Sequence, residues 1–266
     1  MEWREAGGGV RWLEASLPGA TAAFSTRIGG ISGPPLDSLN LGVFTEDERD
    51  AVVENRGRLA AALGFEPKRI AIGRQAHGAE LATHGGPQSP SPFAEPGSVI
   101  PEVDGHVTSE DSLPLLVFAA DCLPIALSGP GGVAMLHCGW RGLAAGIVAR
   151  GVDAIGATDA AIGPGIAPCC YEVGNDVLDA FIGLELGSTG RKPRYMKGNR
   201  PVDTVSRREL DLPEVARRLL REAGVERVES SGLCTSCEVG LFFSHRRDAG
   251  RTGRQAGLVW RNGEAG

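Results

Sequence analysis

The chain has 266 residues, of which 42% are hydrophobic and 23% charged, and a formal net charge of −6. No long uninterrupted apolar run and no basic-then-apolar leader occur, so the composition speaks against a membrane span or a signal peptide and for a soluble, cytoplasmic protein. The acidic balance argues against tight binding of duplex nucleic acid but leaves local arginine clusters able to grip a small anion. Six Cys in a chain of this length, two of them adjacent at Cys169 and Cys170, do not suit a secreted disulfide framework. The length is read as one domain spanning residues 1–266, monomeric and facing small-molecule partners.

In chain order, "TEDERDAVVENRGRLAAALG" predicts a helix opened by a capping box of Thr45 and Glu48, carrying Val52, Leu59 and Leu63 on one face and stopped by Gly64. The Pro-, Gly- and Ser-rich stretch from His84 to Gly97 predicts a loop. Two apolar runs, Leu113 to Leu127 and Gly131 to Cys138, predict neighbouring buried strands separated by Ser128-Gly129-Pro130. Spacing then turns helical through Leu143, Ile147, Val148, Val152 and Ile155, making Gly139 to Gly142 a strand-to-helix turn. His137 thus ends a strand, and Arg141 stands at a helix N-terminus suited to an anion.

The segment "IGPGIAPCCYEVG" predicts a rigid loop leading into a helix through Val177, Leu178 and Phe181. A further helix follows a second capping-box pair, Ser206 and Glu209, with Asp211 as an N-cap, Pro213 in its first turn and Gly224 beyond its end. The tail "LFFSHRRDAGRTGRQAGLVWRN" predicts a closing hairpin turning near Gly250 and Gly253. Hairpins mixed with helices indicate an α+β layered fold.

Three places set metal-ligating side chains beside strand ends: His77 in "RQAHG", Cys122 in "AADCLPI" and His137 in "LHCGWRG". Two imidazoles and a thiolate suit zinc and leave a fourth tetrahedral position open, although spacing alone does not single out this trio. The competing reading makes each His a hydrogen-bonded structural residue and Cys122 a small buried hydrophobe. "CTSC" (Cys234 to Cys237) has zinc-knuckle or redox spacing, but no second CxxC or CxxH accompanies it, which favours a structural role. His84, His106 and His245 lack a ligand partner in the sequence.

The ordered motifs "FSTRIGG", "SLNLG", "RQAHG", "ADCLPI", "HCGWRG", "IGPGIAPCCYEVG", "CTSC" and "FFSHRRDAGRTGRQ" closely resemble the YfiH/YlmD family, variously labelled laccase-domain proteins, polyphenol oxidases, purine nucleoside phosphorylases and peptidoglycan editing factors. The resemblance runs from about residue 20 to the C-terminus. It implies a layered α/β/β/α sandwich with mixed sheets and outer helices, and a metal held by His77, Cys122 and His137. It also implies phosphorolysis of adenosine, inosine and S-methyl-5'-thioadenosine, with adenosine deaminase activity in the same pocket. Cys138 stands where the family pattern leads one to expect Ala, and His106 where an aliphatic residue is commoner; neither change removes a proposed ligand. On a regular strand Cys138 points away from the metal.

For deamination, Asp121 and Asp104 are the acids within the matched motifs, although strand alternation turns Asp121 away from Cys122. For phosphorolysis, Arg141 leads the phosphate-binding candidates, with Arg27, Asn40 and Gln75 for sugar or base; Arg74, Arg246 and Arg247 read as structural ion-pair members. Five His in total are too few for a mononuclear copper plus a trinuclear cluster, whereas a single copper at the His–Cys–His set could support a weak polyphenol oxidase. Two further readings stay open: Cys122 as a nucleophile activated by His137, hydrolysing an amide of a peptidoglycan precursor, and a metal-binding protein without turnover.

Overall fold

The computed structural model describes residues 1–98, 100–181, 196–197, 200–201 and 209–263. Its strands are β1 (Glu2–Glu5), β2 (Arg11–Leu17), β3 (Ala20–Ser25), β4 (Leu81–Thr83), β5 (Gly105–Thr108), β6 (Leu115–Ala119), β7 (Leu123–Gly129), β8 (Gly132–Cys138), β9 (Asp159–Ile162), β10 (Met196–Lys197), β11 (Arg200–Pro201), β12 (Arg227–Ser230) and β13 (Gln255–Arg261). The helices are α1 (Arg49–Ala62), α2 (Trp140–Ala144), α3 (Ile147–Ile155), α4 (Asn175–Asp179) and α5 (Leu212–Glu222). No helix among the described residues is long and apolar enough to cross a membrane.

Five strands form an antiparallel sheet in the order β1-β2-β3-β13-β6, and six form a mixed sheet in the order β12-β9-β7-β8-β5-β4, in which β12 runs parallel to β9 and β4 to β5. β10 and β11 make a separate two-stranded ribbon. The sheets face one another across Phe24, Val117 and Val259 on one side and Ala126, Met135 and Ala161 on the other. Gly257 lets them close up, since a Cβ there would lie 2.5 Å from Pro124 Cβ and 2.7 Å from Met135 Cε.

Helices cover the outer faces. Ile147, Val148, Val152 and Ile155 of α3, with Val215, Ala216 and Leu220 of α5, pack on Leu127 and Leu136 of the mixed sheet. Each large aliphatic buried there contributes about 1.5–3 kcal/mol. Leu59 and Ala60 of α1 pack on Leu116 and Leu258 of the antiparallel sheet. The result is an α+β sandwich layered α/β/β/α, as the family resemblance implies.

Several expectations shift in detail. The apolar run Leu113 to Leu127 is two strands in different sheets, β6 and β7, because Asp121 adopts a left-handed φ of 97° and turns the chain across the sandwich. The predicted helix from Leu143 to Ile155 is two, α2 and α3, parted at Gly146 with φ 85°.

Thr45 does not cap α1. Its hydroxyl donates to Gly42 O and accepts from Asn40 Nδ2, and the helix starts at Arg49 with no side-chain cap. Asp211 does cap α5, accepting from Glu214 N at 3.0 Å, while Ser206 of the proposed capping box lies outside the described residues. The tail is not a hairpin: only β13 forms, between β3 and β6. The preceding segment is wound into turns by Arg247, whose guanidinium spans Asp248, Phe242 O and Thr235 O.

Candidate active site

The β7–β8 hairpin sets the frame. Its register pairs Leu123 with Cys138 and Pro124 with His137, so Cys122, just before β7, arrives beside the end of β8. His77 comes from the segment along the free edge of β6. There Ala71 bridges to Leu115, and the Gln75 amide donates to Phe118 O (2.7 Å) and accepts from Phe118 N (2.8 Å). The potential ligand atoms of His77, Cys122 and His137 all lie within 4.8 Å of one another, and the two imidazole rings meet edge to face at 4.9 Å. His137 is buried, Cys122 half-buried and His77 exposed, so the cluster opens to solvent on the His77 side.

Asp104, immediately before β5, organises this cluster. Its Oδ1 accepts from His77 N (2.9 Å) and lies 2.8 Å from His137 Nδ1, and its Oδ2 accepts from Ala76 N (3.0 Å) and Gly78 N (2.7 Å). Engaging Nδ1 leaves His137 Nε2 as the ring atom for a ligand or substrate. Burial raises the Asp104 carboxyl, but the hydrogen bonds from His137, Gly78 and Ala76 outweigh it and hold the group below the ordinary carboxylate range.

Burial likewise pushes the Cys122 thiol up, yet the charge of His137 and hydrogen bonds from both imidazoles bring it down to about 6. For His137, burial acts downward and is overcome by the Cys122 thiolate and Asp104, which raise it to about 9. A thiolate at neutral pH is the form that binds metal or acts as a nucleophile.

Two glycines of "HCGWRG" are required by this geometry. A Cβ on Gly139 would stand 2.9 Å from Cys122 Sγ and 3.3 Å from His77 Cδ2, and one on Gly142 would stand 2.8 Å from Gly78 O. Cys138 is buried in the core beneath the helices, pointing away from the cluster.

The other sequence candidates have varied surroundings. Arg141 is exposed on α2, its guanidinium 4.4 Å from the Trp140 ring centroid. Asp121 is not a group aimed at substrate: Oδ1 accepts from Thr235 Oγ1 (2.6 Å) and Oδ2 from Arg246 N (2.7 Å). Asn40 is fully buried, bonded to Gly42, Thr45, Asp47 and Arg254 N, and so is used inside the fold rather than for a sugar. Gln75 is used by β6, as described above. Arg27 is committed to Asp37, to the Pro35, Asp37 and Val239 carbonyls and to the Phe243 ring. Arg74 pairs with Glu102.

Two residues near the cluster lie within the motifs "IGPGIAPCCYEVG" and "FFSHRRDAGRTGRQ" but carry no ligand or nucleophile signal of their own in the sequence. Tyr171 lies under the guanidinium of Arg246, which also donates to Glu172 O. Burial raises the Tyr171 hydroxyl to about 12, with Cys122 and Asp121 acting in the same direction and Arg246 and Arg141 opposing them. It therefore remains a hydrogen-bond donor near the cluster. Arg254, on which the charges of Cys122 and Asp121 also act, lines a cavity of about 300 Å³ with Phe44, Thr45 and Thr252.

An α/β/β/α sandwich carries, at the end of its central hairpin, an open cluster of two imidazoles and one thiol whose ligand atoms could hold a metal ion. A family model described as multi-copper polyphenol oxidoreductase laccase matches residues 21–262. The chain is 38% identical to purine nucleoside phosphorylase YlmD of Geobacillus stearothermophilus over 95% of each chain. It is 35% identical to purine nucleoside phosphorylase YfiH of Escherichia coli, covering 91% of this chain and 94% of that one. Among solved structures, YfiH of Bacillus licheniformis superposes with a TM-score of 0.83 at 32% identity, covering 98% of this chain and 99% of the other. The chain belongs to the YfiH/YlmD family of laccase-domain proteins.

Proposed function

We propose that this chain is a zinc-dependent purine nucleoside phosphorylase acting on adenosine, inosine and S-methyl-5'-thioadenosine, with deamination of adenosine as an accompanying activity. The observation that carries this reading is the convergence of His77, Cys122 and His137 within 4.8 Å, with Asp104 fixing the imidazole of His137. Two nitrogens and one thiolate sulfur fit zinc, and they fit copper as well. When bound, the ion supplies a Lewis acid at the open face of the cluster.

The chain's own residues do the rest. Arg141, with Arg246 over the Tyr171 ring, supplies positive charge for phosphate, and the Tyr171 hydroxyl donates to a sugar or base oxygen or nitrogen. In phosphorolysis a hydrogen phosphate oxygen bonds to the ribose C1′ as the bond to the purine nitrogen breaks, and the proton carried by the hydrogen phosphate passes to the departing base. Asp104 and Asp121 act as positioning residues, because each carboxylate oxygen of both already accepts a hydrogen bond.

The laccase description is tested by the histidines. His77 and His137 form the cluster, His84 and His106 pair with each other at 3.0 Å, and His245 stands on the surface beside Gly250, which leaves no imidazoles for a trinuclear copper site. A second reading has its own observation: Asp104, His137 and Cys122 form a carboxylate–imidazole–thiol chain suited to amide hydrolysis, as on a peptidoglycan precursor.

Incubating metal-analysed protein with adenosine, with and without phosphate, and in parallel with an amide of a peptidoglycan precursor, separates the readings. Phosphate-dependent adenine, and inosine without phosphate, both lost on chelation, are the expected products. Metal-independent cleavage of an amide with covalent capture of Cys122 would replace this reading by the second.

A further inference from the structure

We infer that the four thiols of Cys169, Cys170, Cys234 and Cys237 form a second, structural zinc site that braces the wall of the active site. The four sulfur atoms all lie within 4.8 Å of one another, and Cys237 Sγ is 3.5 Å from both Cys169 Sγ and Cys170 Sγ. A tetrathiolate zinc with bonds of about 2.3 Å has sulfurs about 3.8 Å apart along each tetrahedral edge, whereas a disulfide requires about 2.05 Å. The two 3.5 Å separations are far too long for a disulfide and, with all four sulfurs inside 4.8 Å, suit the edges of such a tetrahedron.

The backbone is arranged around the sulfurs. Two loops 65 residues apart are seamed by a parallel bridge between Gly165 and Cys234, through Gly165 N to Leu233 O and Thr235 N to Gly165 O. Cys234 O accepts from both Cys237 N and Glu238 N, which curls "CTSC" into a knuckle, and Ala167 N donates to Cys234 Sγ at 3.4 Å. Such N–H···S contacts satisfy a thiolate that has given up its proton. Only Cys234 is buried; Cys169 and Cys170 are half-buried and Cys237 is exposed, which is not the environment of cysteines used as core hydrophobes.

Four protein ligands close the coordination shell, so this ion takes no substrate. Its binding releases the four thiol protons to solvent. Its effect reaches the first site through Thr235, inside the knuckle, which donates to Asp121 Oδ1 at 2.6 Å and so helps hold the left-handed turn that delivers Cys122. Tyr171 follows Cys170 directly. The inference is independent of which reaction the first site performs.

Zinc counted by mass spectrometry in desalted protein tests it, alongside H77A/H137A, C234S/C237S and C169S/C170S variants. Two zinc per chain are expected in the wild type, falling to one in H77A/H137A and to one in either cysteine variant. In H77A/H137A the four thiols should resist N-ethylmaleimide, read by peptide mapping, until a chelator is added. A wild-type chain with a single zinc that C234S/C237S removes would also support this site, while denying metal to the first. If H77A/H137A retains no zinc, with these cysteines freely alkylated or two hydrogens lighter as a disulfide, the inference is overturned. That comparison does not depend on whether the cysteine variants fold.

Discussion

The molecule contains two histidine pairs of similar spacing and opposite chemistry. His77 and His137 have ring centroids 4.9 Å apart, and His84 and His106 have theirs 5.2 Å apart. In the first pair, burial of His137 is overcome by a thiolate and a carboxylate, and its imidazole is raised to about 9. In the second, His106 is equally buried and has His84 as its hydrogen-bonded neighbour; burial and His84 outweigh the more distant pull of Asp104 and bring it down to about 3. What separates a ligand cluster from a packed pair is therefore which groups neighbour the rings. Cys122 and the Nδ1 contact to Asp104 make the difference.

The comparison breaks most completely if the first pair is dispensable. His77→Ala, Cys122→Ala and His137→Ala are each expected to lower adenosine phosphorolysis by more than about a thousandfold, the scale of losing several kcal/mol of charge stabilisation. Circular dichroism should show the fold retained. Asp104→Asn tests whether the carboxylate distinguishes the pairs: it removes the negative charge beside His137 and turns one of the two oxygens, which meet His137 Nδ1 and His77 N on one side and Ala76 N and Gly78 N on the other, into an NH2 donor facing donors, and metal affinity measured by competition with a chromophoric chelator should fall about 10–100-fold. Gly139→Ala probes the packing behind the sulfur. The added methyl must displace Cys122 Sγ or His77, and about a tenfold weaker metal affinity, equal to about 1.4 kcal/mol, is expected in the same titration.

The second pair should govern stability and leave the first cluster's metal in place. Because His106 is brought down to about 3 in the fold, the unfolded chain binds one more proton between that pH and its ordinary value near 6.5. The associated stability is complete above about pH 6.5 and is lost as pH falls through that window, at up to about 1.4 kcal/mol per pH unit. Denaturant unfolding at pH 7 and pH 5 should therefore show a shallower pH dependence in His106→Asn than in the wild type. Parallel curves would remove His106 from the account.

How much of this was legible in the sequence depended on distance along the chain. The Asp211 cap and the turn from β8 into α2 are local and were readable from residue order. The three cluster residues were visible as chemistry beside strand ends, but choosing them required the family resemblance, because His77 and His137 are brought together only by sheet register and the β6 edge. The split between β6 and β7 was hidden because a non-glycine residue, Asp121, takes the left-handed turn within an apolar run.

The tail misled because its alternation belongs to a segment whose backbone is claimed by Arg247. "CTSC" lacked a second motif in the sequence; its partners are the adjacent pair Cys169 and Cys170, contributed by another loop. Asn40 and Gln75 resembled ligand-binding residues because an amide that satisfies buried backbone has the same appearance in sequence as one that faces a substrate.

The most direct measurement is restoration of activity to metal-depleted wild-type protein by stepwise addition of zinc, with His77→Ala followed in parallel. Phosphate-dependent adenine release should rise with occupancy of the His77–Cys122–His137 cluster in the wild type and remain at background in the variant. Full turnover by the metal-depleted protein, or equal recovery in His77→Ala, would contradict the assignment.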